Sequence, residues 1–541
     1  MTPMTGGDAI AESLLRHGVD TLFGLPGAQI YGLFDAFARR EGALRVITPR
    51  HEQTCAYMAL GYSQASGRPG VYAVVPGPGM LNTSAALLTA YGLNAPVLCL
   101  TGQVPSAFLG RGRGHLHEMP DQLATLRTLT RHAARIEQPG DAPRIVDAAF
   151  RAMLSGRPGP AAIEAPWDYF GATGAVDFPA VEPLAAPPEP DTKSVEQAAR
   201  ILKEARAPLI VVGGGARHAG AEVLELAELL GAPVMSFRSG RGIVSDEHEL
   251  GVTIASGYKL WPHTDVVIGI GTRLEVTSWR WKWTPAGLKN IRIEIDRTEM
   301  ERVPVDAGIL ADAAAGAREL ATTIRRLGIQ LPDRRADIRA AKAAAAVEIE
   351  KIQPQMAYLR AIRSVLPRDG IFVDEVSQAG FTSWFGFPIY RPRTFIGSGY
   401  QGTLGSGFPM ALGVKVAQPD RAVVSIAGDG GFQFGLQDLA TAVQYGIGVV
   451  IVLFNNNSYG NVRRDQNACF EGRTLGADLV NPDFLKLAEA YGVRASRASS
   501  PDALRVALDK AFAESGPTLI EAPIEKGVEK SPWRFIEPRP A

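Results

Sequence analysis

The sequence predicts an α/β protein built from three doubly wound parallel-sheet domains. In the first and last thirds of the chain, short apolar runs such as residues 71–75 and 96–100 alternate with segments whose apolar residues recur at helical spacing. This alternation is typical of parallel sheets covered by helices. In the middle third, Val211 and Val212 lead into a glycine turn at 213–215. A chain of 541 residues, 46% of them hydrophobic, has room for about three domains of ordinary size.

Two shifts in composition predict the domain boundaries. Residues 183–192 are rich in proline, which favours an extended and exposed linker. Residues 328–345 pass through a Leu-Pro-Asp turn into a stretch rich in alanine and arginine, which predicts a connector that ends in a surface helix. We therefore expect domains at residues 1–180, 190–340 and 350–541.

The composition also excludes several classes of function. The 56 basic and 56 acidic residues cancel, so no general attraction to nucleic acid or to anionic lipid is expected. Cys55, Cys99 and Cys469 are too few and too scattered for a disulfide framework or a zinc site. The N-terminus has no basic leader with an apolar core, and no apolar run is long enough to span a bilayer. We expect a cytoplasmic protein that acts on a small molecule, with no nucleic-acid or membrane partner.

The motif that carries most chemistry is Gly428-Asp429-Gly430-Gly431, which follows the apolar run 423–426. A helical pattern and a second apolar run then lead to Asn455 and Asn456. A right-handed crossover brings two such strands back parallel, so Asp429 and Asn456 are expected at the same sheet edge. Their oxygens suit Mg²⁺ with its remaining ligands from a diphosphate, and the glycines let backbone N–H groups approach phosphate. An ordinary glycine-rich turn is the alternative, and the asparagine pair argues against it.

These motifs resemble those of thiamine diphosphate enzymes in the acetolactate synthase, pyruvate decarboxylase and benzaldehyde lyase group. The runs 22–28, 50–53, 61–67 and 101–105 resemble acetolactate synthase catalytic subunits in the same order, and the similarity covers essentially the whole chain. The resemblance implies a pyrimidine-binding N-terminal domain, a central Rossmann-like domain and a C-terminal domain that binds diphosphate and Mg²⁺.

Glu52 is the residue on which we place catalysis. It follows a short predicted strand at 45–48 and precedes a helix predicted from about Thr54, and such a junction is a common active-site position in open α/β sheets. A glutamate in the first turn of a helix is otherwise an ordinary dipole partner. The resemblance implies that Glu52 hydrogen-bonds the aminopyrimidine ring of the cofactor, with Pro26 and Gly27 among the cofactor-binding residues.

The resemblance assigns the rest of the cofactor site to the third domain. Gly402 matches a glycine whose carbonyl accepts from the 4'-amino group, and Leu404 matches a bulky side chain that bends the cofactor. Gln378 lies in a turn that resembles a diphosphate-contacting one, although Ala379 stands where synthases have a histidine. The remaining implied contacts are cofactor binding by Gly428, Gly430, Gly431, Asn456 and Tyr459, and Mg²⁺ coordination by Asp429, Asn456 and the Ser458 carbonyl. Because Glu52 and Asp429 lie in different domains, the resemblance implies a homodimer or homotetramer with active sites between subunits, and an inactive monomer.

The substrate side resembles the family less closely. His117 occupies the position of a glutamine that faces the thiazolium in synthases, and His115 lies two residues before it. In one interpretation, both histidines are solvated loop residues. In the other, they act as a proton donor and a carboxylate binder. A histidine that donates a proton near neutral pH favours release of an aldehyde over a second condensation.

The central domain gives a weaker signal. Residues 213–217 form a glycine turn after a strand, but no acidic residue follows at the spacing of a ribose ligand. Residues 271–276 also lack the arginine and paired aspartates of true synthases, so FAD or ADP is doubtful here. Trp279, Trp281 and Trp283 form either a lid over a ligand or one face of a half-buried strand or loop.

The sequence thus predicts a lyase or transferase that uses thiamine diphosphate and Mg²⁺ to decarboxylate a 2-keto acid, transfer its acyl group to a carbonyl, or both. Three alternatives stay open at this point. They are a C–C lyase or ligase acting on an aldehyde or 2-hydroxyacyl-CoA, an FAD-linked enzyme resembling pyruvate oxidase, and a non-catalytic cofactor-binding protein.

Overall fold

A computed structural model describes residues 2–281, 283–528, 530–532 and 535. The chain forms three six-stranded sheets in which all neighbouring strands are parallel. The predicted α/β class with three doubly wound parallel sheets is confirmed. Within the described ranges, none of the helices combines the length and the apolar character that crossing a bilayer requires.

The N-terminal sheet has the strand order β3-β2-β4-β5-β7-β6, and a separate antiparallel pair joins β1 to β8. The strands are β1 Thr2–Thr5, β2 Thr21–Gly24, β3 Arg45–Ile47, β4 Gly70–Val74, β5 Val97–Gln103, β6 His132–Arg135, β7 Ala161–Pro166 and β8 Thr173–Val176. The helices are α1 Gly6–Arg16, α2 Tyr31–Ala38, α3 Glu52–Ser66, α4 Pro78–Asn82, α5 Ser84–Leu93, α6 Gln122–Leu129, α7 Ala142–Leu154 and α8 Trp167–Gly171, with short 3₁₀ turns at Ser106–Phe108 and Pro139–Asp141.

The central sheet has the order β11-β10-β9-β12-β13-β14. Its strands are β9 Pro208–Val212, β10 Val234–Ser236, β11 Gly251–Thr253, β12 Val266–Ile270, β13 Lys289–Glu294 and β14 Ala307–Leu310. Its helices are α9 Thr192–Glu204, α10 Gly220–Leu230, α11 Ile254–Leu260, α12 Arg297–Met300 and α13 Ala313–Arg326. Short 3₁₀ turns lie at Gly214–Ala216, Arg238–Gly240 and Trp261–His263, and a π-helical turn lies at Val276–Arg280.

The C-terminal sheet has the order β16-β15-β17-β18-β20-β19 and so repeats the topology of the first. Its strands are β15 Ile371–Val373, β16 Phe395–Ile396, β17 Val423–Gly428, β18 Val450–Asn455, β19 Arg494–Arg497 and β20 Thr518–Pro523. The helices are α14 Arg335–Ile349, α15 Gln355–Val365, α16 Gln378–Gly386, α17 Gly407–Ala417, α18 Asp429–Phe432, α19 Leu439–Gln444, α20 Gly460–Cys469, α21 Phe484–Ala490 and α22 Pro501–Ala513, with 3₁₀ turns at Gly399–Gln401 and Leu436–Asp438.

The two predicted connectors differ in the structure. Residues 177–191 form neither helix nor strand and are mostly exposed, as an extended linker requires. The alanine-rich stretch forms α14, which buries Ile338, Ala341 and Ala345 and packs against α11 of the central domain. The helix has one apolar stripe that packs against α11 and is exposed at most of its other positions, as a surface helix requires. The domain boundaries themselves remain a prediction.

Helices α3 and α17 join the first and third domains through close backbone contact. A Cβ atom at Gly61 would lie 2.1 Å from the carbonyl oxygen of Met410, and one at Gly413 would lie 1.9 Å from that of Met58. Only glycine allows this approach. Helix α3 buries every residue from Thr54 to Ala65, because it is covered by its own sheet on one side and by α17 on the other.

Candidate active site

The carboxyl ends of β17 and β18 form the centre of the site. These strands are parallel neighbours, and their register sets Gly428 opposite Phe454, so Asp429 and Asn456 emerge at one edge of the sheet as predicted. Both line a cavity of about 330 Å³. This edge also lies beside the point where the chain order of the sheet reverses, between β15 and β17, which is where open α/β sheets bind ligands.

Asp429 is held in place by several hydrogen bonds. The side chain of Asn481 donates to Oδ2 at 2.7 Å, and the backbone N–H of Gly430 donates to Oδ1 at 3.0 Å. The residue is 2% exposed. Burial raises the pKa of the Asp429 carboxyl, and the hydrogen bond from Asn481 opposes that rise. A nearby cation would stabilise the ionised form further.

Asn481 was not found by sequence reasoning. The same Nδ2 atom also donates to Asn455 Oδ1 at 2.9 Å, so one amide fixes both Asp429 and the first asparagine of the pair. The sequence around it, Asn481-Pro482, indicates only a turn.

Close packing also requires glycine at the positions around Asp429, in addition to the predicted approach of phosphate. A Cβ atom at Gly430 would lie 2.3 Å from Cε1 of Tyr459, and one at Gly431 would lie 3.1 Å from Cδ1 of Leu404. The prediction explained these glycines by phosphate approach alone. The structure adds that Tyr459 and Leu404 close against them, so all four residues line one cavity.

The donors around this cavity suit Mg²⁺. They comprise the Asp429 carboxylate, the Asn456 amide and the backbone at Ser458, all lining the same space. Among the residues that the structure describes, no three His, Cys, Asp or Glu side chains cluster as a self-sufficient metal site. One carboxylate with neutral oxygens and an open cavity is the donor set of an ion that takes its remaining ligands from phosphate.

Gln378 at the start of α16 and Leu404 also line the cavity. Gly402, two residues before Leu404, has a left-handed backbone with φ 56°. Beneath this loop lies Glu375, whose carboxylate accepts from the N–H groups of Gly405 at 3.1 Å and Gly407 at 2.9 Å. Burial raises the pKa of Glu375 to about 7. Sequence reasoning missed Glu375, whose only signal was an acidic pair after the apolar run of β15.

A second group of predicted residues lies at the corresponding edge of the N-terminal sheet. Glu52 is the first residue of α3, two positions before the predicted start, because His51 caps the helix by accepting from the Gln53 N–H. Asn82 donates to Glu52 Oε2 at 3.0 Å. Gly27 follows β2, the strand beside β4, and a Cβ atom there would lie 2.6 Å from Val75.

His117 belongs to this second group, and His115 does not. The Nδ1 atom of His117 lies 2.8 Å from Gln29 Oε1, and the Gln29 amide donates to the Leu116 carbonyl at 2.6 Å. This orientation of the amide makes Oε1 the acceptor, so Nδ1 of His117 carries a proton and Nε2 is left for a substrate. The His115 ring packs against Phe108 with centroids 5.0 Å apart.

The two groups are separate within one chain. Among the described residues, those lining the Asp429 cavity do not include Pro26, Gly27, Glu52, His115, His117 or Gly402. The described residues that line the Asp429 cavity therefore all come from the C-terminal third of the chain.

The central domain has its own cavity, of about 660 Å³. Gly213, Gly214 and Gly215 line it after β9, and Glu294 and Asp312 line it after β13 and β14. These acids come from later strands, which is why a search at the usual spacing after the glycines missed them. The tryptophans do not share one face, because Trp281 is buried and donates to the Phe535 carbonyl at 2.8 Å whereas Trp279 is exposed.

Comparisons with known proteins match the three domains separately. Residues 4–125 match a family model described as thiamine pyrophosphate enzyme, N-terminal TPP binding domain. Residues 195–320 match the central domain of thiamine pyrophosphate enzymes, and residues 375–522 match their C-terminal TPP binding domain.

Similar proteins span nearly the whole chain. A probable acetolactate synthase large subunit of Methanocaldococcus jannaschii is 34% identical over 96% of this chain and 92% of its own length. The probable 2-ketoarginine decarboxylase AruI of Pseudomonas aeruginosa is 32% identical over 96% of this chain and 94% of its own length. An acetolactate synthase large subunit of Haemophilus influenzae is 31% identical over 95% of this chain and 93% of its own length.

Proposed function

The chain belongs to the family of thiamine pyrophosphate enzymes, and we propose that it is a lyase or carboligase that uses thiamine diphosphate and Mg²⁺ to act on a 2-keto acid. The observation that carries this proposal is the convergence of Asp429 and Asn456 on one cavity at the switch point of the C-terminal sheet. When bound, thiamine diphosphate supplies an electron sink for cleavage of a bond next to a carbonyl carbon. The protein supplies binding, orientation and proton transfer.

Mg²⁺ and the diphosphate bind in the Asp429 cavity. Asp429, the Asn456 amide oxygen and the Ser458 carbonyl hold the ion, which suits the single carboxylate and neutral oxygens found there. Gly428 and Gly431 offer backbone N–H groups to the phosphates. Gly430 adds no side chain to the cavity, and its own N–H donates to Asp429 Oδ1, while Gln378 and Tyr459 line the same cavity. Gly402 and Leu404 contact the rings from a loop that Glu375 fixes through two backbone N–H groups.

Glu52 binds the pyrimidine ring and holds a proton there. Its side chain is 16% exposed, and its Oε2 atom is oriented by Asn82. A carboxyl group in such a partly closed site can exchange a proton with a ring nitrogen while little water competes for it. Pro26 and Gly27 complete this side.

A second copy of the chain completes each active site. Among the described residues, none of the Glu52 group lines the Asp429 cavity of the same chain, although one cofactor needs both groups. Large apolar side chains are exposed beside both halves: Leu81 and Leu88 near Glu52, and Phe434 and Val462 near Asp429. Burying such residues against their symmetry mates favours a twofold dimer, alone or within a tetramer.

His117 donates a proton to the reacting substrate. Its Nδ1–H is held by Gln29, so Nε2 is the atom that, in the protonated ring, gives its proton to the substrate and leaves the neutral imidazole. Synthases have a glutamine at this position in the resemblance described above, and glutamine cannot protonate a carbanion or alkoxide. The histidine therefore favours release of an aldehyde over a second condensation. His115 has no contact that supports a catalytic role and stays a prediction.

The named relatives support a keto acid as substrate. Two are called acetolactate synthase and one 2-ketoarginine decarboxylase, so decarboxylation and carboligation both occur among proteins of this similarity. Cleavage or formation of a C–C bond in an aldehyde or 2-hydroxyacyl-CoA is the alternative within the same chemistry. A purely non-catalytic role would leave Glu52 and His117 without a purpose.

The central cavity supports a nucleotide as a second ligand. The glycine turn 213–215 and the acids Glu294 and Asp312 are among the residues that line a space of about 660 Å³, which is large enough for ADP or for part of FAD. A flavin would favour the oxidase alternative. The absorbance spectrum of the purified protein between 350 and about 500 nm, together with nucleotide analysis of an acid extract, separates flavin, ADP and an empty cavity. The three free cysteines support a reducing, cytoplasmic setting.

The experiment that tests this function uses purified protein with thiamine diphosphate and Mg²⁺. We would supply 2-keto acids, aldehydes and acyl-CoAs in parallel and identify products by mass spectrometry. Turnover of at least one keto acid that disappears when the cofactor is omitted supports the proposal. Cofactor-dependent turnover restricted to aldehydes or acyl-CoAs would favour the alternative, and no turnover with bound cofactor would favour the non-catalytic one.

A further inference from the structure

Asp438 is a buried carboxylate of the C-terminal domain that hydrogen-bonds the N-terminal domain. Its Oδ1 atom accepts from the backbone N–H of Arg50 at 2.8 Å, and its Oδ2 atom accepts from the hydroxyl of Thr54 at 2.5 Å. Thr441 of its own domain donates to Oδ1 at 2.7 Å. The residue is fully buried, and its charge is therefore satisfied by these donors rather than by water.

The two N-terminal partners of Asp438 lie on either side of Glu52. Arg50 is two residues before it, and Thr54 is two residues after it on the first turn of α3. The neighbouring segment adds two further contacts: the Tyr445 hydroxyl accepts from the Thr48 N–H at 3.0 Å, and Gln444 accepts from the Arg50 guanidinium at 2.5 Å. Residues 438–445 therefore determine where the start of α3 lies.

The same helix is fixed farther along by the glycine contacts of α3 with α17 described above. Those contacts hold the middle of α3 at backbone distance from the C-terminal domain, and at its end Arg393 and Gln418 of that domain donate to the carbonyls of Gln64 and Ala65. Its first turn has no such glycine contact, and hydrogen bonds to Asp438 take that role. A helix anchored at both ends presents its first side chain in one direction.

We propose that Asp438 is a positioning residue that fixes the catalytic orientation of Glu52, an inference that rests on the proposed role of Glu52. Asp438 lies nine positions after Asp429 in the sequence, within the same switch-point segment of the C-terminal domain. In the proposed dimer these two aspartates serve different active sites, because each chain lends Glu52 to its partner. The segment 429–445 thus supports the cofactor in one site and the proton-transferring carboxyl of the other.

A first test needs no cofactor. Amide hydrogen exchange, measured by mass spectrometry on a peptide spanning residues 48–54, includes the N–H groups of Arg50 and of the first turn of α3. Asp438→Asn keeps the shape but turns one acceptor into a donor, and we expect exchange in this peptide to accelerate about tenfold. Thr54→Val removes the hydroxyl that donates to Asp438 and leaves the Asp438 carboxylate in place. It serves as the second variant if Asp438→Asn folds poorly. Thr264→Val removes a buried hydroxyl of the central domain and is expected to leave this peptide unchanged.

The second test is a double-mutant cycle on the holoenzyme. The readout is the rate at which the C2 proton of bound thiamine diphosphate exchanges with D₂O at saturating cofactor. The proton that Glu52 holds at the pyrimidine ring in the proposed function would let that ring remove the C2 proton, so this rate should depend on Glu52. In the otherwise unsubstituted enzyme, Asp438→Asn is expected to slow C2 proton exchange about tenfold. In an enzyme that already carries Glu52→Gln, it is expected to have no further effect, because a positioning residue acts only through the group it positions.

Each outcome of the cycle separates the two proposals. If Glu52→Gln leaves C2 exchange unchanged, the proposed function is wrong. The positioning role of Asp438 is overturned if Glu52→Gln slows C2 exchange but Asp438→Asn does not. It is also overturned if the double variant is slowed by the product of the two single-variant factors. Unchanged amide exchange at residues 48–54 in both Asp438→Asn and Thr54→Val overturns it as well.

Discussion

Gln29 and His117 are joined by a hydrogen bond of 2.8 Å, and both have a left-handed backbone, with φ of 74° and 62°. Non-glycine residues adopt this conformation at a cost of about 1 kcal/mol or more, and such strain concentrates at functional sites. Two strained residues in direct contact indicate that the surrounding structure holds the imidazole in a set orientation.

The fixed orientation of His117 predicts its effect on the ratio of aldehyde to condensation product. Replacement by glutamine, His117→Gln, keeps a hydrogen bond to Gln29 but removes the proton donor. We expect the aldehyde fraction of the product to fall roughly tenfold, with more condensation product, as measured by mass spectrometry on ¹³C-labelled keto acid. His263→Gln is the matched control, because that histidine is exposed in the central domain, and its product ratio should match the unsubstituted enzyme. Equal ratios in all three proteins would contradict a role for His117 in partition.

The metal site gives a second prediction. Asp429→Ala removes the only carboxylate among the proposed ligands, so the apparent affinity for Mg²⁺ should fall about 100-fold or more. A Mg²⁺ titration of thiamine diphosphate binding, followed by intrinsic fluorescence, measures this directly. Asp509→Asn changes an exposed carboxylate on α22 and should leave the titration as it is. A Mg²⁺ affinity that survives Asp429→Ala would place the ion elsewhere.

The convergence of Asp429 with Asn456 could be predicted because it depends on local pattern and on the handedness of a single crossover. The apolar runs, the glycine turn and the asparagines were all visible within one strand-helix-strand unit. The fold class followed from the same alternation in the first domain.

Asn481, Glu375 and Asp438 could not be predicted in the same way. Each acts on residues far away in the sequence, and its own local context is an ordinary turn, an acidic pair or a helix start. The start of α3 was predicted two residues late because a histidine cap gives a weaker sequence signal than serine or aspartate.

The buried Glu375 predicts how stability depends on pH. Burial raises its pKa from an ordinary value near 4.5 to about 7, so the folded protein binds a proton more readily than the unfolded chain. The stabilisation from this group is therefore complete below about pH 4.5 and is lost as pH rises through 7. Relative to Glu375→Gln, which cannot titrate, the free energy of unfolding of the unsubstituted protein should decline by on the order of 3 kcal/mol between these limits.

Urea denaturation at intervals from pH 5 to pH 8 measures this difference. Glu471→Gln, at an exposed glutamate, is the control and should follow the unsubstituted protein throughout. Parallel pH curves for Glu375→Gln and the unsubstituted protein would show that Glu375 stays ionised in the folded state.

The central claim is that one cofactor is shared between Glu52 of one subunit and Asp429 of another. Neither the Glu52→Gln homodimer nor the Asp429→Ala homodimer should be active. In a mixed dimer, one site combines the intact Glu52 of the Asp429→Ala subunit with the intact Asp429 of the Glu52→Gln subunit. When equal amounts are unfolded together and refolded, half the dimers should be mixed, and activity should return to about a quarter of that of the unsubstituted enzyme treated in the same way. Activity no higher than the sum of the two inactive parents would show that each site is built within a single chain, and the account would then be wrong.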